Sequence, residues 1–449
     1  MFLYVAAALY PARAADIKWS PSSNMDGQLF PSLIIATATV RPDADEKNAP
    51  EVLGDAYGIV GISITSPAAH TKVRLTLQEN ALMNRSSWSG ELAEKGTDYY
   101  IAPDINYKFD QLRKARQQVP LNVTFELEVN GKRVGEQHET ITVRSINDCP
   151  YAVADSEETI AEDDPETTAD SDGSSDAVTE SDDDDRKSGG IGKAITGGQK
   201  IQDDESEEED SDNEAAKDDD ADDGSTDLGW MFAAYVNEGS PAVEKVLQEA
   251  LASRLVNHFA GYQGSDDDVL REVFAVWAAL QARGIHYSSI TTTAGNSKTV
   301  SSQHVRFVDE SLQDEQANCV DGSVLFCSIL RKLGLRTFLV NIPGHMYMGV
   351  YLTRDDDNRI AIETTMIGAG VSESEEKIKT IKPLRSLKGT LDNKTRASAA
   401  WRTFEAAVAE GTENLNNDRS KFEDDDNAEY QITDIDEARA DGIMPISAD

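Results

Sequence analysis

The sequence has few cysteines, few basic residues and no long apolar run. Its three cysteines, Cys149, Cys319 and Cys327, are too few for a disulfide framework in 449 residues. Lysine and arginine total 42 against 82 aspartates and glutamates, a formal net charge of −40. Because nucleic acids and anionic membranes attract clustered cationic side chains, this balance argues against both as partners. No stretch approaches the ~18 apolar residues of a membrane span, so we predict no stable membrane insertion.

Most of the acidic charge lies in one segment. Residues 152–228 carry 30 acidic and 5 basic side chains, a net of −25, which leaves −15 for the rest of the chain. The segment has no aromatic residue and few branched apolar ones, so it cannot bury enough surface to fold. We predict a disordered acidic linker, extended by its own charge, that holds the domains on either side apart.

The N-terminus has features of an export signal. Residues 2–10 are apolar, and Ala12-Arg13-Ala14 follows in an A-x-A arrangement. This order is typical of a secretory signal peptide cut near Ala14 or Ala15, although the usual basic region is missing. We therefore predict that residues 1–15 are a signal peptide and that the protein is periplasmic or secreted. The alternative is a buried first strand, which would leave the protein cytoplasmic.

Residues 16–151 have the pattern of a β domain. Runs of β-branched or alternating residues cover Leu29–Val40, 57–66, Thr71–Leu77 and Leu121–Val129. Asn130-Gly131 separates the last run from another that ends at Val143, and Asn-Gly between two such runs is a strong hairpin signal. Short strands with turns between them predict a β-sandwich. A binding or scaffold role is favoured here, because His70 and His138 lack the partners that catalysis needs.

Residues 229–449 follow an α-then-β pattern, so the chain as a whole is predicted to be α+β. Apolar residues at helical spacing predict helices that begin at Ser240-Pro241, near Asp266 and near Cys319, and a further helix over Thr395–Glu410. Strands are predicted over Leu335–Ile342, His345–Leu352 and Arg359–Thr364, with a turn at Pro343-Gly344.

Cys319, His345 and Glu363 are the candidate catalytic residues. Cys319 starts a predicted helix, where the helix dipole and unpaired amides stabilise the thiolate that acts as nucleophile. His345 opens a strand 26 residues later, and Glu363 lies near the end of the next strand. In an antiparallel sheet packed on the Cys319 helix these positions can be adjacent, which would align thiolate, imidazole and an orienting carboxylate.

Several segments resemble the transglutaminase-like superfamily, most closely its bacterial members. Those segments are Asn318–Ser323 with 330–336 for the cysteine helix, 344–351 for the histidine strand, 362–365 for the acid strand, and 430–443 for a C-terminal extension. The resemblance spans roughly residues 230–370. It implies a papain-like α+β fold and a Cys–His–acid triad of Cys319, His345 and Glu363, with no metal or cofactor. Glu363 stands where Asp is commoner, and Met346 where many active members have Ala.

Four further residues near the triad in sequence have alternative roles. Cys327 follows the apolar side of the Cys319 helix and is predicted to be a core residue. His304 is a competing base, but we predict a surface or loop histidine because no acid partner follows on an adjacent strand. Gln303 is a possible oxyanion donor. Asp321 is as compatible with a first-turn helix charge as with a site residue.

Two functions follow from these residues. The first is thiol-dependent acyl transfer on peptide amide bonds, in which water as acceptor gives a cysteine peptidase and an amine gives cross-linking. Hydrolysis is favoured because the bacterial members that the chain resembles are mostly regarded as peptidase-like. The alternative is a non-catalytic scaffold that binds peptides or proteins, since a fold alone does not give a function. In either case the predicted partner is a protein or peptide.

Overall fold

A computed structural model describes residues 17–40, 50–55, 58–154, 225–289, 297, 299–354, 358–369, 381–424, 427 and 429–447. The predicted signal peptide and nearly all of the predicted acidic linker lie outside these ranges. The described residues combine helices with sheets, which confirms the α+β class. None of the helices in these ranges is long and apolar enough to cross a bilayer.

The N-terminal part is built from two sheets. Its strands are β1 (Trp19–Ser23), β2 (Gln28–Leu29), β3 (Val52–Gly54), β4 (Val60–Thr65), β5 (Thr71–Leu77), β6 (Ser86–Leu92), β7 (Asp98–Ala102), β8 (Val119–Val129), β9 (Lys132–Val143) and β10 (Asp148–Ala154). Two short helices accompany them, α1 (Pro31–Ala36) and α2 (Phe109–Leu112). One sheet has the order β1-β4-β7-β3 and the other β2-β9-β8-β5-β6. Their buried apolar residues belong to one core.

The β8–β9 hairpin forms where the sequence predicted it. Val129 pairs with Lys132, so Asn130 and Gly131 are the two turn residues. Both have positive φ, 50° and 74°. Asn and Gly adopt this backbone region most easily, and the resulting turn matches the twist of the two strands.

The strand predicted over Leu29–Val40 is wrong. Only Leu29 belongs to a strand, and Pro31–Ala36 form α1. Pro31 occupies the first helical position, where its fixed φ suits a helix and its missing N–H costs nothing. Five of the six α1 residues are buried. Because the helix is apolar on nearly all sides, its sequence shows no 3.6-residue periodicity and looks like a buried strand.

The C-terminal part alternates helices and strands. Its strands are β11 (Ser225–Asp227), β12 (His286–Tyr287), β13 (Val300–His304), β14 (Gln316–Ala317), β15 (Thr337–Ile342), β16 (His345–Tyr351), β17 (Arg359–Ile362) and β18 (Gln431–Asp434). Its α-helices are α3 (Pro241–Ala252), α4 (Asp266–Ala282), α5 (Val308–Asp314), α6 (Cys319–Lys332), α7 (Lys382–Thr390), α8 (Asn393–Arg396), α9 (Ala399–Asn417), α10 (Arg419–Phe422) and α11 (Ile435–Ala440). Three 3₁₀ helices among the described residues cover Gly229–Tyr235, Gly261–Gln263 and Thr364–Met366.

Most of the predicted C-terminal elements are confirmed. The helices expected from Ser240-Pro241, Asp266 and Cys319 are α3, α4 and α6, and the three predicted strands are β15, β16 and β17. The helix predicted over Thr395–Glu410 begins later, at Ala399, because the Ser398 hydroxyl caps it. A four-stranded sheet with the order β17-β16-β15-β18 carries α6.

The two parts share a small sheet with the order β11-β10-β13. β10 comes from the N-terminal part and pairs antiparallel with β13, for example Asp148 with His304. It also pairs with β11, so that Ala154 lies opposite Ser225. Both ends of the acidic segment are therefore neighbours, and the described residues fall in one compact unit. The expectation that this segment holds two domains apart is wrong.

Candidate active site

Cys319 is the first residue of α6. The Asn318 side chain caps this helix by accepting a hydrogen bond from the Asp321 backbone N–H at 2.8 Å. Asp321 in turn accepts from the Asn318 N–H at 3.3 Å, which completes a reciprocal capping box. Cys319 is half-buried and unbonded to another cysteine. Its thiol therefore stands at the positive end of the helix dipole, among backbone N–H groups that have no partner inside the helix.

The other two cysteines are buried and unpaired. Burial raises the pKa of Cys327 to about 12. Burial also raises the pKa of Cys149 well above that of a free thiol. Both remain protonated at neutral pH, and the prediction that Cys327 is a core residue is confirmed. Because all three cysteines lie in the described ranges, Cys319 is the one thiol of this chain that is not fully enclosed.

His345 and Glu363 form a short charge-assisted pair. The imidazole Nε2 lies 2.6 Å from Glu363 Oε2. The other carboxylate oxygen, Oε1, accepts from the backbone N–H of Thr365 at 3.1 Å and from its hydroxyl at 2.6 Å. The Glu363 N–H donates to the Ala407 carbonyl in α9 at 3.0 Å. The carboxylate is thus held by one oxygen and presents the other to the imidazole.

The ring of His345 also interacts with Cys319. A hydrogen bond with Cys319 and a second with Glu363 outweigh burial and raise the pKa of His345 from 6.5 to about 10. Since Glu363 occupies Nε2, Nδ1 is the nitrogen that remains for the thiol. His345 therefore lies between the Cys319 sulfur and the Glu363 carboxylate, and both groups favour its protonated form. The structure brings together Cys319, His345 and Glu363, the three residues singled out in the sequence.

The carboxylate-bearing turn packs directly on the cysteine helix. The Ser323 and Thr364 hydroxyls lie 3.3 Å apart. A Cβ added at Gly322 would come within 2.9 Å of Thr364 Oγ1. Glycine at this position lets the turn that follows Glu363 approach the first turn of α6, which sets the spacing between acid and nucleophile.

Asp321 anchors α6 rather than joining the triad. Its side chain is fully buried. Oδ1 accepts from the Arg306 backbone N–H and Oδ2 from the Arg306 guanidinium, both at 2.8 Å. Burial raises the pKa of Asp321, although these hydrogen bonds oppose the shift. Of the two readings left open by the sequence, the contacts favour a structural charge that ties α6 to the segment after β13.

His304 differs from its prediction. It is predicted to be a surface or loop histidine because no acid partner follows it on an adjacent strand, yet it is the half-buried last residue of β13, and its Nδ1 lies 3.3 Å from Asp148 Oδ1 on the neighbouring strand β10. Asp148 also accepts from the Arg144 guanidinium at 3.0 Å, and Arg144 is only 4% exposed. The partner precedes His304 by 156 residues instead of following it, so a search of the next strands could not find it. Gln303 lies opposite Cys149 in the same ladder. No hydrogen bond between described residues joins Gln303 to the triad, and its oxyanion role stays a prediction.

Tyr287 is a neighbour of the site that no motif in the sequence indicates. It belongs to β12, which runs parallel to β14 and places Tyr287 opposite Ala317, two residues before Cys319. The next residue, Ser288, donates its N–H to the Ala317 carbonyl at 3.0 Å. Burial and the charges of Cys319 and Glu363 raise the pKa of Tyr287, yet 46% of the residue is exposed. No sequence signal marks this strand, because it is two residues long.

Across the described ranges no group of three or more His, Cys, Asp or Glu side chains is arranged to hold a metal ion. The arrangement of Cys319, His345 and Glu363 provides a nucleophile, a proton carrier and an orienting acid. Comparison with known proteins adds nothing to this geometry: no family model, curated protein or solved structure matches the chain.

Proposed function

We propose that this protein is a thiol-dependent acyl-transfer enzyme of the transglutaminase-like type, acting as a cysteine peptidase on protein or peptide amide bonds. The observation that carries the proposal is the position of His345 between Cys319 and Glu363, with Glu363 on one ring nitrogen. The cation on His345 is the partner that a thiolate nucleophile needs.

In the first half-reaction the Cys319 sulfur attacks the carbonyl carbon of the amide. A C–S bond forms, and the electron pair of the C=O bond moves onto the oxygen. When the tetrahedral intermediate collapses, the C–N bond breaks and the His345 imidazolium gives its proton to the leaving nitrogen. The products are a thioester on Cys319, a free amine and a neutral imidazole.

In the second half-reaction neutral His345 takes a proton from water as the water oxygen attacks the thioester. The C–S bond breaks, the acyl group leaves as a carboxylic acid, and thiolate and imidazolium are restored. An amine in place of water would give a new amide instead. Glu363 keeps the ring oriented throughout and stabilises its charged form, because its second oxygen is anchored by Thr365.

The proposed architecture is an N-terminal β-sandwich joined to a papain-like domain. Two sheets with a common core support the first part. The second part is supported by the helix that begins at Cys319 and packs on an antiparallel sheet. In that sheet β16 supplies His345, and the neighbouring strand β17 ends directly before Glu363. We also propose export, on the apolar N-terminal run alone.

Alkylation by iodoacetamide at pH 7, located by mass spectrometry of the intact protein and its peptides, tests the proposal. We expect stoichiometric labelling of Cys319 and none of the buried Cys149 and Cys327, which serve as internal controls. The label should disappear in Cys319→Ala and slow in His345→Gln. Peptides in a mixed library that the wild type cleaves and Cys319→Ala does not would then identify substrates.

Two results would contradict the proposal. Labelling of Cys149 or Cys327 in place of Cys319 would show that Cys319 is not the reactive thiol. An unchanged labelling rate in His345→Gln would separate the thiol from the imidazole, and the alternative of a non-catalytic scaffold would then stand.

A further inference from the structure

Tyr287 is a large aromatic side chain left exposed beside the nucleophile. Among described residues only five large hydrophobic side chains are counted as exposed, and Tyr287 and Val119 are the most exposed, each at 46%. The other three are Val40, Leu251 and Met444. Apolar residues that are exposed singly need no explanation, so the relevant observation is that Tyr287 lies on the strand paired with the segment that leads into Cys319.

The strand that carries Tyr287 is fixed on two sides. On one side it pairs with β14, which leads directly into Cys319. On the other it lies beside the turn after Glu363, where a Cβ added at Gly368 would come within 2.9 Å of the Ile285 carbonyl. Tyr287 is thus held between the segment before the nucleophile and the segment after the acid. The backbone is fixed while the ring stays open to solvent.

The charged groups that act on Tyr287 are those of the site itself, Cys319 and Glu363. His286 is exposed, and its Nδ1 contacts the Gly284 carbonyl at 2.9 Å. Met366 is half-buried in the turn after Glu363 and packs on the core. The phenol itself is not ionised at neutral pH, since its pKa is raised. A neutral, solvent-exposed aromatic ring attracts apolar and aromatic groups by stacking and burial.

We propose that the Tyr287 ring packs against the side chain of the substrate residue whose carbonyl Cys319 attacks, and that it selects a large apolar or aromatic side chain there. This inference rests on the proposed function and names its substrate class. Tyr287 acts as a specificity-determining residue: it touches the substrate side chain and takes no part in moving protons.

The experiment uses two chloromethyl ketones that differ in one side chain, N-acetyl-phenylalanine and N-acetyl-alanine chloromethyl ketone. Each alkylates a thiol by forming an S–C bond as chloride leaves. Second-order rates of Cys319 modification are measured by mass spectrometry on the full chain, and each is divided by the iodoacetamide rate to remove changes in the thiol itself. We expect the phenylalanine reagent to react about tenfold faster, which corresponds to ~1.4 kcal/mol.

Variants separate the ring from its hydroxyl. Tyr287→Ala should bring the ratio of the two rates to about one, and Tyr287→Phe should retain it, because the ring supplies the packing. Leu251→Ala, which removes an exposed apolar side chain at the end of α3, is the matched control and should keep the wild-type ratio.

An equal rate for both reagents in the wild type overturns this inference alone, provided that Cys319 still reacts with iodoacetamide. A ratio that persists in Tyr287→Ala does the same. If Cys319 reacts with none of the three reagents, the proposed function fails and this inference fails with it.

Discussion

Replacing Glu363 by glutamine tests the centre of the site with a minimal change of shape. The glutamine carbonyl can still accept from Thr365, as Oε1 of the carboxylate does at 3.1 Å and 2.6 Å. The glutamine NH₂ group then faces His345 Nε2 and donates a hydrogen bond where the carboxylate accepted one. The imidazole must respond with a bare Nε2 and a proton on Nδ1, the nitrogen left for Cys319. This is the wrong tautomer for a base that takes a proton from the thiol.

The expected size of the effect follows from the lost hydrogen bond. A hydrogen bond to a charged partner contributes ~1.5–3 kcal/mol net, and ~1.4 kcal/mol is a factor of ten. Labelling of Cys319 by iodoacetamide at pH 7 should therefore slow by about 10- to 100-fold. The pKa of His345 should fall from about 10 towards 6.5, because one of the two groups that raise it is gone.

Two measurements on the same variant check this reasoning. The alkylation rate is followed across pH 5–11, and the imidazole is titrated by NMR of histidine-labelled protein, with His345→Gln to assign its signal among six histidines. Glu79→Gln is the control, since Glu79 pairs with Lys108 on the surface and such pairs contribute little. A wild-type rate in Glu363→Gln, with an unchanged His345 titration, would refute the role of the carboxylate.

Two further substitutions test the structure around the site. Tyr347→Phe removes a fully buried hydroxyl that finds no hydrogen-bond partner among the described residues. Thermal unfolding should therefore show a free energy of unfolding that is unchanged or up to ~1 kcal/mol larger. A loss above ~1 kcal/mol would show that the hydroxyl has a partner. Asp148→Asn removes the carboxylate that pairs with the buried Arg144 guanidinium at 3.0 Å, and it should cost ~3 kcal/mol at pH 7 by urea unfolding. Burial acts to raise the pKa of Asp148, but His304 and Arg144 hold it below 3.8. The stability difference is therefore full above pH ~3.8 and should shrink as pH falls through the folded pKa; a constant difference would contradict it.

Local signals in the sequence predicted correctly the helices α3, α4 and α6 and the turn between β8 and β9. Ser240-Pro241, Asn130-Gly131 and the start of α6 at Cys319 each depend on a few neighbouring residues whose backbone preferences are strong. The error at Leu29–Val40 has the opposite origin. Where a helix is buried on almost all sides, apolar periodicity disappears and β-branched residues suggest a strand.

Contacts between residues that are far apart in the chain could not be predicted from the sequence. The partner of His304 comes from β10, and β18 completes the sheet next to β15 from near the C-terminus. Tyr287 reaches the site through a two-residue parallel pairing. Cys319, His345 and Glu363 could be proposed because they lie within 45 residues and follow one helix and two adjacent strands. The contacts around these three residues depend on the tertiary fold, and short motifs in the sequence do not indicate them.

The antiparallel pairing of β10 with β11 has a consequence for how the chain tolerates cutting. Ala154 and Ser225 lie opposite each other, so the acidic segment leaves and rejoins the fold at one place. A single break within residues 157–223 would produce two polypeptides that still share the β11-β10-β13 sheet and the buried Arg144–Asp148–His304 contacts. Covalent continuity is then dispensable for holding the nucleophile in place, and the nicked protein should behave as one particle with the mass of the intact chain. The acidic segment is an insertion in a hairpin, and its length adds only the slowly growing entropy of closing a loop.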